Sequence, residues 1–380
     1  MTNTSRRVRT GMSADSTRVL IVGTYGGGGV HQYVEEQHRR LSDRVSVSSY
    51  DMEMAPAGSG VGWFVYSVLL ALWAAIRFPF RRRPDLVHVH TSHRFSFYRS
   101  SFYVLFAAYV WNRPVVVHVH GSSFDEFVTT ESRVLARYQS LVFDASERVV
   151  VLSAYWRDVV STRTDEESIH VLPNAVEPSS YDPEFEVDLP RLVFVSNMIE
   201  RKGVAELVEA IDRLESTVDR PFEVHFAGKG PLSSSVSDLA DAHENVIYHG
   251  YVSEERKREL LSEGSIYVLP TYAEGLPIAM LEGMAGGNAI VSTDVGSIPE
   301  VIDDEHGRLV EPGDVDELHD ALQSLVESPE RVEQMGRQNR TQIEEQYSWE
   351  EITDELLEVY SRELPELRAH RADRSTDAAV

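Results

Sequence analysis

Glu274 and Glu282, separated by seven residues, stand in the run Ala273-Glu-Gly-Leu-Pro-Ile-Ala-Met-Leu-Glu282. Pro277 suits a first helical position, and Ile278 to Ala285 continues as good helix formers until Gly286 and Gly287 stop them. Free amides at such a helix start carry partial positive charge, so a phosphate is their natural guest. Gly275 lets backbone come close to that guest. At 3.6 residues per turn, Glu282 lies about two turns into the helix, so one carboxylate meets the guest from the loop and the other from the helix.

Stepping outward, Ser265-Ile-Tyr-Val-Leu-Pro270 reads as a buried strand bounded by Gly264 and Pro270. The whole chain repeats that strand–loop–helix unit. Arg18-Val-Leu-Ile-Val22 is followed by Gly23-Thr-Tyr-Gly-Gly-Gly-Gly29 and a helix from Val30 to about Leu41. Strands follow at Val45 to Tyr50, 85–90, 114–119 and Arg148 to Leu152, then at His170-Val-Leu. The Pro- and Asp-rich stretch 177–189 reads as a linker. The alternation then restarts at Arg191 to Ser196, Phe222 to Ala227, Val246 to Tyr251, Ile266 to Leu269 and Ala289 to Ser292. Two such series imply two parallel-sheet α/β domains facing each other across a cleft.

Several motifs fail on spacing. A G-x-G-x-x-G begun at Gly26 meets His31, and the Gly-Lys-Ser/Thr of a P-loop never occurs. Asp51, ending the second strand, keeps a nicotinamide-dependent enzyme as an alternative. Asp85-Leu-Val-His-Val-His90 and Val115-Val-Val-His-Val-His120 place His88 with His90, and His118 with His120, on shared faces. A metal hydrolase would want further Asp or His at strand ends, and no clear set stands there, so no metal ligands are assigned. Asp314-Val-Asp316 follows Pro312-Gly313 and opens an amphipathic helix, which makes Asp314 a cap.

Taken with its surroundings, Tyr272-Ala-Glu-Gly-Leu-Pro-Ile-Ala-Met-Leu-Glu-Gly-Met-Ala285 resembles the retaining nucleotide-sugar glycosyltransferases of family 4, which have the GT-B fold of two Rossmann-like domains. The resemblance runs from about residue 18 to 364. It implies that Glu274 contacts the donor sugar, that the amides of Gly275 and Leu276 hold the diphosphate, and that Glu282 binds the ribose hydroxyls. His120-Gly-Ser-Ser-Phe124 is similar to the family's active-site segment, so His120 meets the donor sugar, while His88, His90 and His118 are structural. Gly27, Gly28 and Gly29 match the loop beneath the donor, and Tyr251 with Val252 holds the base through backbone groups. The family clamps its diphosphate with an Arg and a Lys. Lys202 matches the Lys, but Asn197 stands at the Arg position. Arg201 is a substitute only if its side chain does not point away from that of Lys202, as it would in extended backbone, and Lys229 is a second candidate. By resemblance, 17–180 form an N-terminal acceptor-side domain, joined by a returning C-terminal helix at 347–365, and 181–346 bind the nucleotide sugar. Residues 1–16 and 366–380 read as disordered tails.

The expected reaction moves a sugar from a nucleoside diphosphate sugar to an acceptor hydroxyl with retention, without metal or other cofactor. A nucleotide-sugar epimerase of the same fold and a non-catalytic nucleotide-sugar-binding protein are the alternatives. The chain has 36 basic and 61 acidic residues, no Cys and three Lys, which points to a halophile's cytoplasm and excludes disulfides, thiolate metal sites and duplex nucleic acid as a partner. The charge is uneven: residues 1–180 hold 19 basic and 17 acidic residues, and 181–380 hold 17 and 44. Met54 to Ile76 carries no charge, and Arg77 and Arg81-Arg82-Arg83 follow. Spanning a bilayer would put strands of one sheet on opposite sides. The stretch is therefore read as a core helix or as a peripheral contact, via 60–83, with an anionic membrane such as the inner face of the plasma membrane. That basic, apolar front suggests a lipid-linked or membrane-proximal glycan acceptor.

Overall fold

The computed structural model describes residues 17–24, 29–52, 60–185 and 188–364. The tails expected at 1–16 and 366–380, together with Gly27 and Gly28, lie outside the described residues.

Two six-stranded parallel sheets make the frame, in an α/β arrangement. The first contains β1 (Arg18–Gly23), β2 (Ser46–Asp51), β3 (Leu86–Thr91), β4 (Val115–Val119), β5 (Arg148–Val151) and β6 (Ile169–Val171), in the order β2-β1-β3-β4-β5-β6. The second contains β7 (Arg191–Val195), β8 (Glu223–Ala227), β9 (Val246–Gly250), β10 (Ile266–Leu269), β11 (Ala289–Thr293) and β12 (Gly307–Val310), in the order β12-β11-β10-β7-β8-β9. Strands β3, β4, β10 and β11 are buried along their full length, as helices on both faces of a parallel sheet require. Strand order reverses between β1 and β3 in the first sheet and between β7 and β10 in the second. Loops leaving the carboxyl ends of strands at such a reversal diverge and open a crevice.

Two details depart from the sequence reading. Pro277 is not the first helical residue but the cap of helix Ile278–Ala285, with ψ of 114°. Extended backbone there lets the loop arrive straight from Glu274. Strand β12 was not anticipated, because Gly307-Arg-Leu-Val310 is short and half polar; it is recruited by pairing with β11. Asp314 caps helix Val315–Val326 by accepting from the Glu317 amide at 2.9 Å, while Asp316 pairs with Arg213 at 2.5 Å.

The chain crosses between the sheets twice, side by side. Val176 N–H donates to Tyr347 O at 2.9 Å and Trp349 N–H to Val176 O at 3.0 Å. Helix Trp349–Glu363 then returns to the first sheet, burying Trp349, Ile352, Leu356 and Tyr360 against Val19, Ile21, Leu86 and Val116. Arg148–Glu363 (2.9 Å) and Arg44–Asp354 (3.0 Å) fix its position.

Candidate functional site

At the strand-order reversal of the second sheet, the loop after β7 meets the loop after β10. Residues Glu200–Lys202 form a 3₁₀ turn that ends at Gly203, with φ of 67°. A Cβ on Gly203 would lie 1.8 Å from Pro270 O, so glycine is required for the two loops to touch. Contact is then locked by Tyr272 N–H and Thr271 Oγ1, which both donate to Arg201 O at 2.8 and 3.0 Å.

Because the backbone turns here rather than extending, Arg201 and Lys202 project to the same place, which corrects the expectation for extended chain. Lys202 Nζ donates to Glu274 Oε1. Thr271 Oγ1 reaches the same oxygen at 3.2 Å and Arg201 Nη1 reaches it at 3.4 Å. The Lys202 and Glu274 side chains are 12% and 9% exposed. Asn197 is exposed and offers no charge, so Arg201 is the second cation of the loop.

Two residues on, the amides of Gly275 and Leu276 donate to no acceptor among the described residues. Their carbonyls, by contrast, are tied to the first sheet's half: Trp156 Nε1 donates to Gly275 O at 3.3 Å and Asn174 Nδ2 to Leu276 O at 2.7 Å. The loop is thus held from behind, and its free N–H groups sit at the start of helix Ile278–Ala285 beside two cations. That is a ready anion site. A Cβ on Gly275 would lie 3.3 Å from Gly121 O, which brings the turn after His120 against this loop.

His120 follows β4 and belongs to a stack of four buried histidines. Ring centroids lie 4.4 Å apart for His88–His90, 4.1 Å for His118–His120 and 5.1 Å for His90–His120. Gln37 Oε1 accepts from His90 Nε2–H at 3.0 Å, so His90 Nδ1 accepts from His120 Nε2–H at 2.8 Å. Burial holds the His120 and His88 pKa values down at about 3, and those of His90 and His118 well below the ordinary value. His120 therefore enters the site neutral. Ring nitrogens of His88, His90 and His118 lie within 4.8 Å of one another. The His88 ring lies within 21° of parallel to His90 and within 14° of His118, while His90 and His118 are tilted by 31°.

A cavity of about 500 Å³ opens between the halves beside Glu274, with Asp125, Tyr155, Asp294 and Glu300 in its wall. Glu300 reaches across and accepts from the amides of Ala154 and Tyr155 at 2.9 and 2.5 Å, capping the helix Ala154–Ser161. Asp125 Oδ2 accepts from Tyr155 Oη at 2.9 Å.

Glu282 lines a second cavity, of about 420 Å³, with Gln32, Tyr33 and Tyr181. Lys257 Nζ donates to Glu282 Oε1 at 2.8 Å and to Glu254 at 2.7 Å. Burial opposes the Lys257 charge, but Glu282 and Glu254 outweigh it and raise the pKa. Burial, and then Glu282, pushes the Tyr181 phenol up. Gln32 Nε2 donates to Glu254 at 3.1 Å, bridging the halves.

Glu274, Lys202, Gly275, Leu276 and His120 are thus gathered, and Glu282 stands in the second turn of helix Ile278–Ala285. Tyr251 is 75% exposed and Val252 half-buried on the core side, and neither lines the two cavities. Gly29 begins helix Gly29–Ser42, with Gly27 and Gly28 outside the described residues. Lys229 runs beside Gly250. Arg201, Lys257, Tyr181 and Glu300 were not placed in the site by sequence reasoning. Only Arg201, beside the matched Lys202, carried a local signal.

Two family models match the chain: "Glycosyl transferase 4-like domain" over residues 1–175 and "Glycosyl transferases group 1" over 189–328. MMP alpha-(1->4)-mannosyltransferase of Mycolicibacterium hassiacum is 28% identical over 271 residues, 69% of this chain and 62% of that protein. The chain spans less than two thirds of the length of the first curated relatives it matches. Sucrose-phosphate synthase from Thermosynechococcus elongatus superposes with a TM-score of 0.74 at 16% identity, covering 91% of this chain and 98% of that one. Anabaena HepE, solved in complex with UDP and glucose, superposes with a TM-score of 0.69 at 14% identity, covering 91% and 100%. At these identities the two structures speak for the fold alone, which is GT-B.

Proposed function

We propose that this chain, a glycosyltransferase of the GT-B fold, moves a hexosyl group from a nucleoside diphosphate sugar to an acceptor hydroxyl with retention of configuration and without a metal ion. The observation that carries the reading is the anion site at the β7/β10 reversal: two cations and two free amides converge where a departing diphosphate would lie. Preorganised donors of this kind stabilise charge as it develops on the leaving group and need no general acid. In the donor complex Lys202 and Arg201 turn from Glu274 to the diphosphate, which frees Glu274 to accept from sugar hydroxyls. Neutral His120 offers its ring to the same sugar. Glu282, held by Lys257, accepts from the ribose hydroxyls.

The cavity beside Glu274 takes the acceptor. Its carboxylates suit hydroxyl groups and repel phosphate, so the end that reacts is an uncharged sugar, carried on a lipid-linked or membrane-proximal glycan. The place of action is the cytoplasmic side of a membrane, with peripheral attachment. The acid excess fits a protein that works in molar salt.

Release of nucleoside diphosphate from a panel of sugar nucleotides in molar KCl, with and without a lipid-glycan extract and with added chelator, tests the reading. Acceptor-stimulated release from one donor, lost in Lys202→Ala and Glu282→Ala and indifferent to chelator, is the expected result. Conversion of donor to an isomeric sugar nucleotide with no acceptor present would replace the reading with an epimerase. Binding without turnover would replace it with a binding protein.

A further inference from the structure

The helix Val61–Arg77 is apolar on every side, yet Ala74 is its one buried residue. Phe64, Leu69, Leu72, Trp73 and Ile76 are 52–60% exposed, and Phe80, just beyond, is 86% exposed. A helix with no polar face is one that a protein core or a bilayer surrounds. Here the core touches one edge only. The neighbouring segment adds Phe95, Tyr109 and Val110, at 58–65% exposure, so the apolar surface spans two helices. An uncovered area of this size marks an interaction surface.

We propose that this two-helix face is a monotopic membrane anchor, immersed in the interface of an anionic bilayer. Charge selects that occupant. Between Met54 and Phe124 the chain has seven Arg and a single acid, Asp85, in a protein with 61 acids. Asp85 is already paired with Arg18. Arg77, Arg81, Arg82 and Arg83 rim the end of the apolar helix and are exposed. Each arginine near an anionic leaflet adds to binding, and the apolar residues bury in the acyl boundary. A second copy of this chain fits less well: a two-fold contact sets this patch against itself, and the patch offers the arginines no acid to pair with, since Asp85 is already taken by Arg18. Crossing the bilayer is ruled out by the sheet, since β1 pairs with both β2 and β3, which flank the helix in sequence. The helix lies along the membrane plane.

The face also leads to the cleft. Helix Phe95–Phe106 begins at Arg94, 3.9 Å from Glu126, and Tyr98 packs edge-on to Phe127 at 5.9 Å. Asp125, next to both, lines the cavity assigned to the acceptor. This last step rests on the transferase reading: the acceptor's lipid stays in the bilayer beside Phe95 while its sugar end enters the cavity.

Flotation of the full chain with vesicles of phosphatidylcholine, and of equimolar phosphatidylcholine and phosphatidylglycerol, tests the anchor without donor or acceptor. Wild type should float with the anionic vesicles. Leu69→Glu/Trp73→Glu should lower the bound fraction at least tenfold, with an unchanged circular dichroism spectrum and thermal midpoint. Arg81→Gln/Arg82→Gln/Arg83→Gln should lose about tenfold of the preference for anionic over neutral vesicles, a difference that shrinks as salt rises from about 0.1 to about 1 M. Failure of wild type to float, or flotation indifferent to the Leu69/Trp73 change, overturns the proposal. So does a wild-type dimer in solution that the same change makes monomeric without any vesicle binding. Nucleoside diphosphate release, measured on the same variants without vesicles, should equal that of wild type. Its loss in every protein, with flotation intact, would count against the transferase reading and leave the anchor standing.

Discussion

Acidification from about pH 7.5 to about pH 5 should unload a large part of the chain's stability through the histidine stack alone. All four rings are buried and neutral when folded, with pKa values far below the ordinary value of about 6.5. Below about pH 6.5 the unfolded chain takes up protons that the folded chain refuses, so stability falls with pH. The loss continues down to the folded values, about 3 for His88 and His120. Above about 6.5 both states are neutral and the dependence vanishes. At pH 5, about 1.5 units below the unfolded value, each ring forfeits about 2 kcal/mol and the four together about 8 kcal/mol. Native proteins hold only about 5–15 kcal/mol in total. Urea unfolding followed by circular dichroism across this window reads the slope, and His118→Leu isolates one ring. Neither nitrogen of His118 has a partner among the described residues, so the variant should gain about 1 kcal/mol even at neutral pH. Its advantage should grow by about 2 kcal/mol at pH 5. Wild-type stability that is flat across the window, or a variant with the wild-type slope, would refute the reasoning.

Gly203→Ala puts a methyl into Pro270 O and should displace the turn that carries Lys202; a shift of about 1 Å costs about 10²-fold in kcat, read in the release assay. Glu300→Ala removes the acceptor for two amides across the halves and should cost about 2 kcal/mol, with faster proteolysis between 176 and 190. Asp314→Ala should cost about 1 kcal/mol in urea unfolding and leave turnover alone, since the residue only caps a helix.

What the sequence revealed follows from how local each signal is. Strand β10, the loop and the following helix occupy 20 residues, and β-branched runs, glycines and a proline mark each boundary. Pro277 was misplaced by one position because a proline fits both a cap and a first turn. Arg201 was misjudged because alternation assumes extended backbone, and the 3₁₀ turn beneath it depends on a contact with Pro270, 67 residues on. Lys257 and Glu300 reach the site through pairings 25 and 145 residues apart, for which no spacing rule exists. The apolar helix was readable as a run, but whether it was covered is a property of the packed molecule.

The paired crossing at Val176 and Ser348 makes the joint between the halves two-ply. Two segments bonded edge to edge constrain the joint more than a single tether does. Tyr181, five residues from the crossing, lines one cavity with Glu282 close to that joint. Wherever the halves separate, the Asn174–Leu276, Ser153–Ser297 and Glu300 contacts must part. On the reading proposed above, the ribose end of a donor would lie beside this joint, and the diphosphate end between the surfaces that those contacts hold together.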